Sequence, residues 1–224
     1  MNYYIQTGIK TKKQLFYLVS FLYGTVLMGI EMLGSRMLAP YFGTDIFVWA
    51  NLIGIVLLSV SLGNYFGGKL SSKKNTLLII SAIAVVLLLY IASFYKGIFE
   101  WISEWFKSSG LVEYSDKVST GNSDRIIKPL FATVIVFFPL VFCLSMISPI
   151  LIKRLSGEAG HAGKVSGRVY AISTIGNLFG TFFTSFYLIV KYKTTTTLYV
   201  FFSIFIINII LITLFGLDKS DEKT

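Results

Sequence analysis

Long apolar runs separated by short polar connections cover the chain, and this pattern predicts six membrane-spanning helices. The predicted spans are residues 15–38, 47–66, 76–95, 130–152, 169–190 and 197–217. Each is close to the roughly 20 residues that an apolar helix needs to cross a bilayer. The runs are continuous, without the alternation of membrane β-strands. We therefore expect an all-α integral membrane domain over residues 1–217, followed by a disordered charged tail, 218–224.

The composition agrees with this class of protein, because 54% of the 224 residues are hydrophobic and only 14% are charged. Soluble domains are about one-quarter charged. The single cysteine, Cys143, lies inside an apolar run, and the single histidine, His161, has no ligand cluster around it. These residues supply neither a metal site nor a nucleophilic catalytic set. We expect no catalytic residues and no cofactor, and hence no catalysis by this chain alone.

Basic residues are concentrated in alternate connections, which predicts the orientation of the chain. One side carries Lys10, Lys12, Lys13, Lys69, Lys73, Lys74, Lys153, Arg154, Lys164, Arg168, Lys219 and Lys223. The short connections of the other side carry only Lys191 and Lys193. The positive-inside rule then places both termini in the cytoplasm. We expect a protein of the cytoplasmic (inner) membrane of a bacterium or archaeon. This asymmetry explains most of the net charge of +9, so no nucleic-acid partner is indicated.

The longest connection, residues 96–128, is predicted to lie outside and to begin with an amphipathic helix. Its apolar residues recur at helical spacing and stand opposite polar ones. The apolar set is Ile98, Trp101, Ile102, Trp105 and Phe106, and the polar set is Glu100, Ser103, Glu104 and Lys107. We expect this helix to lie in the outer interface with both Trp side chains at headgroup depth. The remainder, residues 108–122, is polar and predicted to be mobile.

Two charged residues, Glu31 and Arg36, lie in the outer part of the first span. A charge at the centre of a membrane helix costs roughly 2.5–3.5 kcal/mol on insertion scales, so such residues usually face the protein interior and mark a functional site. Five-residue spacing separates them by about 140° around the helix and about 7.5 Å along it. Two interpretations remain open: an ion pair that holds the first span to its neighbours, or a polar ligand-binding site. Asp45, Asn51 and Arg168 are weaker candidates for the same site.

Small residues recur at four-residue spacing in two spans and predict close helix contacts. The second span carries Ser59, Gly63 and Gly67, and the fifth carries Gly176, Gly180 and Thr184. Packing inside the bundle is the main interpretation, and a homodimer interface is the alternative. Asn64, Thr174 and Asn177 are polar residues within spans, a class that mostly forms interhelical hydrogen bonds. Pro139 and Pro149 predict a kink in the fourth span.

Two blocks of sequence resemble one known family. The first contains Glu31, Gly34, Arg36, Ala39, Pro40, Phe42, Gly43, Trp49, Ile53, Gly54, Leu58, Gly63, Gly67 and Gly68. The second contains Gly167, Arg168, Val169, Tyr170, Ala171, Ser173, Thr174, Gly176, Gly180, Thr181, Phe186, Leu188 and Ile189. Together they cover the first, second and fifth spans. They resemble the membrane domain of spermidine-synthase-like membrane proteins, often described as fusions of a major-facilitator-like region with a spermidine synthase domain.

The resemblance implies a half-major-facilitator-like bundle linked to aminopropyl- or methyl-transfer chemistry. Asp45 stands where that family usually has a Ser, and the family's synthase domain follows the membrane region, whereas this sequence ends at Thr224. The leading hypothesis is therefore a membrane module that anchors or presents a substrate, such as a polyamine, to a separate soluble synthase or methyltransferase on the cytoplasmic side. The alternatives are a small homodimeric transporter of a polar or cationic solute, and a structural membrane scaffold.

Overall fold

Eight α-helices and one π-helical turn make up the computed structural model, which describes residues 2–108, 123–156 and 162–217. The first helices are α1 (Asn2–Phe42), α2 (Ile46–Leu70) and α3 (Thr76–Ser108). They are followed by α4 (Ser123–Ser145), α5 (Ile147–Ser156) and α6 (Ala162–Phe183). The π-helical turn (Thr184–Leu188), α7 (Ile189–Lys191) and α8 (Thr194–Leu214) complete the fold. Within these ranges there is no β-strand.

The predicted fold class is confirmed: the protein is an all-α membrane protein with six helical segments long and apolar enough to cross a bilayer. These segments run over residues 12–42, 46–70, 76–106, 125–156, 162–191 and 194–214. Each contains most of one predicted span. The fourth segment joins α4 to α5, and the fifth joins α6 to α7 through the π-helical turn. The predicted tail at 218–224 and the polar stretch 109–122 lie outside the described residues.

The amphipathic segment 98–107 is helical, as predicted, but it continues α3 instead of forming a separate helix. At 33 residues, α3 is about 50 Å long, which exceeds the hydrocarbon thickness of a bilayer. Phe99, Ile102 and Phe106 are buried in the core, whereas Trp101 and Trp105 are exposed and stack on each other. The segment therefore has one apolar face that packs on the bundle and a second, exposed face that carries the two Trp side chains. The packed face keeps the segment aligned with the third span.

The fourth span is interrupted at Met146, between α4 and α5. Pro149 accounts for the position of this break, because a proline at 149 has no N–H to donate to the carbonyl oxygen of Ser145. Pro139, by contrast, lies inside the continuous α4. Of the two predicted kink positions, the helix is interrupted only next to Pro149, and the interruption lies between Ser145 and Ser148.

Both series of small residues lie at helix–helix contacts within the bundle. A Cβ atom added to Gly63 would meet Ser145 and Phe142, and one added to Gly67 would meet Met146 and Pro149. Gly63 and Gly67 therefore let α2 approach α4 and α5 closely.

The series of α6 makes the same kind of contact with α1. A Cβ atom added to Gly176 would collide with the backbone of Phe21, and one added to Gly180 would collide with the backbone of Thr25. At Thr184 the facing residue of α1 is Gly29. The two helices thus approach each other at backbone distance over two turns.

The two ends of the bundle differ in charge. Lys69, Lys73 and Arg154 lie together at one end, where Arg154 donates a hydrogen bond of 2.9 Å to the backbone carbonyl of Lys73. We call this the basic end. The other end, called the opposite end below, contains the turn from α1 to α2 and the start of α4. There Asn51 Nδ2 donates to the carbonyl of Ile126 at 2.8 Å.

The first and fourth spans are the most enclosed, with 56% of an 18-residue apolar stretch buried, against 22% for the fifth.

Candidate functional site

A polar cavity of about 170 Å³ lies between four of the membrane spans. Each of these spans contributes at least one polar residue to its wall. The lining residues are Tyr23, Gly24 and Leu27 from α1, Val60 and Asn64 from α2, Leu144, Ser145 and Ser148 around the break of the fourth span, and Tyr170, Ser173, Thr174 and Asn177 from α6. None of these twelve described residues is charged. The arrangement is a site for hydrogen bonding rather than for ion pairing.

The break between α4 and α5 brings hydroxyl groups to this cavity. Ser145 Oγ lies within hydrogen-bond distance of the carbonyl oxygens of Phe142, at 3.0 Å, and Ser59, at 3.3 Å. Ser148 follows three residues later, on the other side of the interruption at Met146. The same prolyl residue that interrupts the span, Pro149, thus positions two of the cavity's polar side chains.

The contact between α1 and α6 forms the second wall. Gly24 faces the Ser173 carbonyl and the Asn177 side chain, and a Cβ atom built on Gly24 would lie 2.9 Å from Asn177 Oδ1. Asn177 Oδ1 is buried and has no hydrogen-bond partner in the protein. An unsatisfied buried amide oxygen costs about 1–3 kcal/mol. Asn177 Oδ1 is therefore an unpaired acceptor in the wall of the polar cavity.

The cavity belongs to the basic half of the bundle and reaches the protein surface. Asn64 lies five residues before Lys69, and Tyr170 lies two residues after Arg168. Tyr170 and Thr174 are exposed, whereas Tyr23 is buried and its hydroxyl shares a 2.5 Å hydrogen bond with Ser81 on α3. The cavity therefore borders the exposed face of α6, and Tyr23 lies in its buried wall.

Glu31 lies on the same stripe of α1 as the cavity residues Gly24 and Leu27, because the three are separated by three and four positions. Its side chain is only 7% exposed. No described residue forms a hydrogen bond or an ion pair with it. From Leu27 to Glu31 the helix rises about 6 Å. The carboxyl group therefore stands beyond the cavity, towards the opposite end.

The bundle is closed at the next position of this stripe. Gly34 packs against α2 and α4, and a Cβ atom placed there would lie 2.9 Å from the Phe137 ring and 3.2 Å from Leu52 Cδ1. Phe137 is 1% exposed and Leu52 is fully buried. We call the contact of Gly34, Leu52 and Phe137 the apolar seal. It separates Glu31 and the cavity from the opposite end of the bundle.

Arg36 does not pair with Glu31 in the structure. Arg36 Nη1 instead donates hydrogen bonds to the backbone carbonyls of Ile189 and Tyr192, the second at 3.5 Å. These carbonyls lie at the C-terminal end of the fifth span, where helical carbonyls lack intrahelical partners. The separation of about 140° around α1 explains why the guanidinium faces the fifth span and the carboxyl does not.

The three weaker candidates are not brought to this cavity. The Asp45 carboxylate caps α2 by accepting the backbone N–H groups of Phe47 and Val48, each at 3.1 Å. Asn51, which sequence reasoning placed near Glu31, bonds Ile126. Arg168 is exposed at the basic end. At the opposite end, Asp45 therefore caps α2, and Asn51 joins α2 to α4.

Sequence reasoning missed most of the cavity. Asn64, Thr174 and Asn177 were recognised only as polar residues in spans, and Tyr23, Ser145, Ser148, Tyr170 and Ser173 were not singled out as a site. One signal was present, because Tyr170, Ser173, Thr174 and Asn177 recur at three- and four-residue spacing on one face of α6.

The fold and the cavity define a six-span integral membrane protein with a polar interior site. Comparison of the chain with protein-family models, with curated proteins and with solved structures gave no match.

Proposed function

We propose that this protein is a membrane carrier that binds a small, uncharged polar solute in the cavity between α1, α2, the fourth span and α6. The observation that carries the proposal is the cavity lining, which combines hydroxyl and amide groups with the unpaired Asn177 Oδ1 inside a membrane-spanning bundle. Polar groups in a membrane interior are costly and usually serve a function.

The size and the charge of the cavity limit the solute. An engineered cavity of about 150 Å³ holds benzene, so the 170 Å³ found here suits a molecule of roughly six to eight non-hydrogen atoms. A cationic solute such as a polyamine would lose its hydration and require a carboxylate, because unpaired buried charges are strongly unfavourable. The lining supplies none. A neutral solute rich in hydroxyl or amide groups therefore fits best.

The access pattern also supports a carrier. The cavity meets the surface at Tyr170 and Thr174, while the apolar seal closes the stripe of α1 towards the opposite end. Carriers expose a site near the middle of the membrane to one side at a time. With the basic end in the cytoplasm, as the positive-inside rule indicates, the cavity lies in the cytoplasmic half of the bundle.

A second candidate is presentation of a substrate to a soluble transferase, the function suggested by the resemblance to spermidine-synthase-like membrane proteins. Tyr170, Ser173 and Thr174 belong to the second block that carries this resemblance, and all three line the cavity. In this candidate the lipid bilayer holds the module, and the partner docks at the basic end, beside the mouth of the cavity. A homodimer is compatible with either candidate.

Solute flux into proteoliposomes tests the carrier function. We would measure uptake of labelled urea, glycerol and erythritol, with putrescine as the cationic comparison. A leucine at Ser173 fills the cavity, so Ser173→Leu should lower uptake of the transported solute at least tenfold. The matched control is Ser203→Leu on α8, since Ser203 is exposed and hydrogen-bonds only its own helix.

The same experiment separates the candidates. Uptake of a neutral solute that Ser173→Leu abolishes and Ser203→Leu preserves would support the carrier. Uptake no faster than in empty vesicles would contradict it. A stoichiometric cofactor-binding protein purified with the chain from native membranes would then favour substrate presentation.

A further inference from the structure

Outside the cavity, the carboxyl group of Glu31 is a buried ionisable group whose role the proposed function does not explain. It is 7% exposed, and no hydrogen bond or ion pair to it occurs within the described parts of the chain. Arg36, the nearest cation in sequence, is held by the carbonyls of Ile189 and Tyr192. An ionised carboxylate in this position would be a buried charge without compensation, and a buried carboxyl group avoids that cost by keeping its proton.

Neighbouring elements do not supply a compensating charge. Their described charged side chains lie outside the predicted apolar spans: Lys69 on α2, Lys96, Glu100 and Glu104 on α3, Arg125 and Lys128 on α4, Lys153 and Arg154 on α5, Lys164 and Arg168 on α6, and Lys191 on α7. The neutral titratable groups of the elements around α1 are Tyr65, Tyr90, Tyr95, Cys143, Tyr170, Tyr187 and Tyr199. None of them hydrogen-bonds to Glu31.

The position of Glu31 along α1 determines from which side of the membrane its carboxyl group could exchange a proton. Along one stripe of α1 the order is Gly24 and Leu27 at the cavity, then Glu31, then Gly34 at the apolar seal. Glu31 therefore lies between the cavity and the apolar seal. It would be reached from the opposite end only after Gly34 separated from Leu52 and Phe137. The carboxyl group therefore lies next to the contact whose opening would expose it to the opposite end of the bundle.

We propose that Glu31 is a proton-binding site that couples movement of the solute to movement of a proton. In the conformation described here the carboxyl group carries the proton. When the apolar seal opens, the O–H bond breaks, water on the opposite side accepts the proton, and the carboxylate remains on Glu31. This inference rests on the proposed carrier function, but the protonation of Glu31 is measurable without knowing the solute.

Dicyclohexylcarbodiimide provides the test, because this apolar reagent modifies protonated carboxyl groups in apolar surroundings. Purified full-length protein in lipid nanodiscs would be treated at pH 6, 7 and 8, and the modified peptide identified by mass spectrometry. We expect modification of Glu31 at pH 6 and 7, at least tenfold above that of Asp45, Glu100 and Glu104. Asp45 accepts two backbone N–H groups, and the two glutamates are exposed, so they are internal references.

Two further measurements test whether Glu31 binds a proton or a metal cation. Replacing choline chloride by sodium chloride should leave the modification of Glu31 unchanged, and Glu31→Gln should remove it while leaving the reference residues as they were. Protection by sodium would overturn the proposal in favour of a metal-cation site. Absence of modification at all three pH values in the wild-type protein would contradict a protonated Glu31 in apolar surroundings and would also overturn the proposal, whether or not Glu31→Gln folds.

Failure of this proposal is distinguishable from failure of the carrier function. Uptake that depends on Ser173 would persist with an unmodified Glu31 if the carrier were driven by the solute gradient alone. Conversely, a protonated Glu31 in a protein without uptake would leave the proton site intact and remove its coupling to a solute.

Discussion

A double-mutant cycle measures the coupling energy between Glu31 and Arg36, and the structure predicts that these two residues do not interact. Arg36 is exposed at the opposite end and donates to the carbonyls of Ile189 and Tyr192. Glu31 has no partner within the described residues. If a buried ion pair joined them, removing either residue would cost about 3–5 kcal/mol and the double variant would recover part of the loss.

The magnitudes follow from these contacts. A hydrogen bond from a charged donor contributes about 1.5–3 kcal/mol when buried. Because the Arg36 contacts are exposed and one of them is long, at 3.5 Å, we expect Arg36→Gln to lower the free energy of unfolding by about 1–2 kcal/mol. Glu31→Gln keeps the shape of a protonated carboxyl group and should change stability by less than about 0.5 kcal/mol. The coupling energy should then lie within about 0.5 kcal/mol of zero.

Unfolding of the four proteins in one detergent provides the measurement. For a chain of this length, about 1–2 kcal/mol corresponds to a decrease in Tm of roughly 2–8 °C. Arg36→Lys is the matched control and should recover part of the loss, since a lysine donates to a carbonyl without the planar fork. A coupling energy of about 2 kcal/mol or more would refute the reasoning, since it would require the ion pair that the structure lacks.

Three further predictions concern helix contacts, capping and orientation. Gly180→Ala should destabilise the protein by about 2 kcal/mol or more, because the new Cβ would collide with the Thr25 backbone, whereas Gly54→Ala, with nothing within 4 Å, should be neutral or slightly stabilising in thermal unfolding. Asp45→Ala should cost about 1 kcal/mol through loss of the α2 cap, and Asp45→Asn should retain most of that stability in the same assay. In a Cys143→Ala background, impermeant reagents should label Cys at 119 from outside and Cys at 73 or 164 only after the inner face is opened; the reverse pattern would invert the orientation.

The six spans could be predicted because their physical requirement is local. A segment that crosses a bilayer must satisfy its backbone hydrogen bonds within itself and must expose apolar side chains along its length. Both requirements are visible in the sequence as continuous apolar runs. The small residues of the second and fifth spans likewise indicated close contacts, and Pro149 indicated the break of the fourth span. These features are determined by residues close together in the chain.

The features that could not be predicted depend on which helices meet. Arg36 binds carbonyls 153 and 156 positions away, at a helix end that includes a π-helical turn. The extension of α3 beyond the membrane depends on the surface that Phe99, Ile102 and Phe106 find in the bundle. The cavity requires α1, α2, the fourth span and α6 to enclose one space. In each helix taken alone, the hydroxyl groups of the cavity form no recognisable motif. They form a site only when the four spans pack together.

Accessibility of Ser173 to water tests the central claim most directly. In a Cys143→Ala background, Ser173→Cys would be treated with a charged, water-soluble thiosulfonate in proteoliposomes, with Ser203→Cys on the exposed face of α8 as the control. A polar cavity in a membrane bundle predicts rapid labelling at 173 and none at 203, because a lipid-facing thiol does not meet the reagent. Addition of the transported neutral solute should slow the labelling at 173. Equal resistance of both positions to the reagent would contradict the account, because it would mean that no water-filled site lies between α1 and α6.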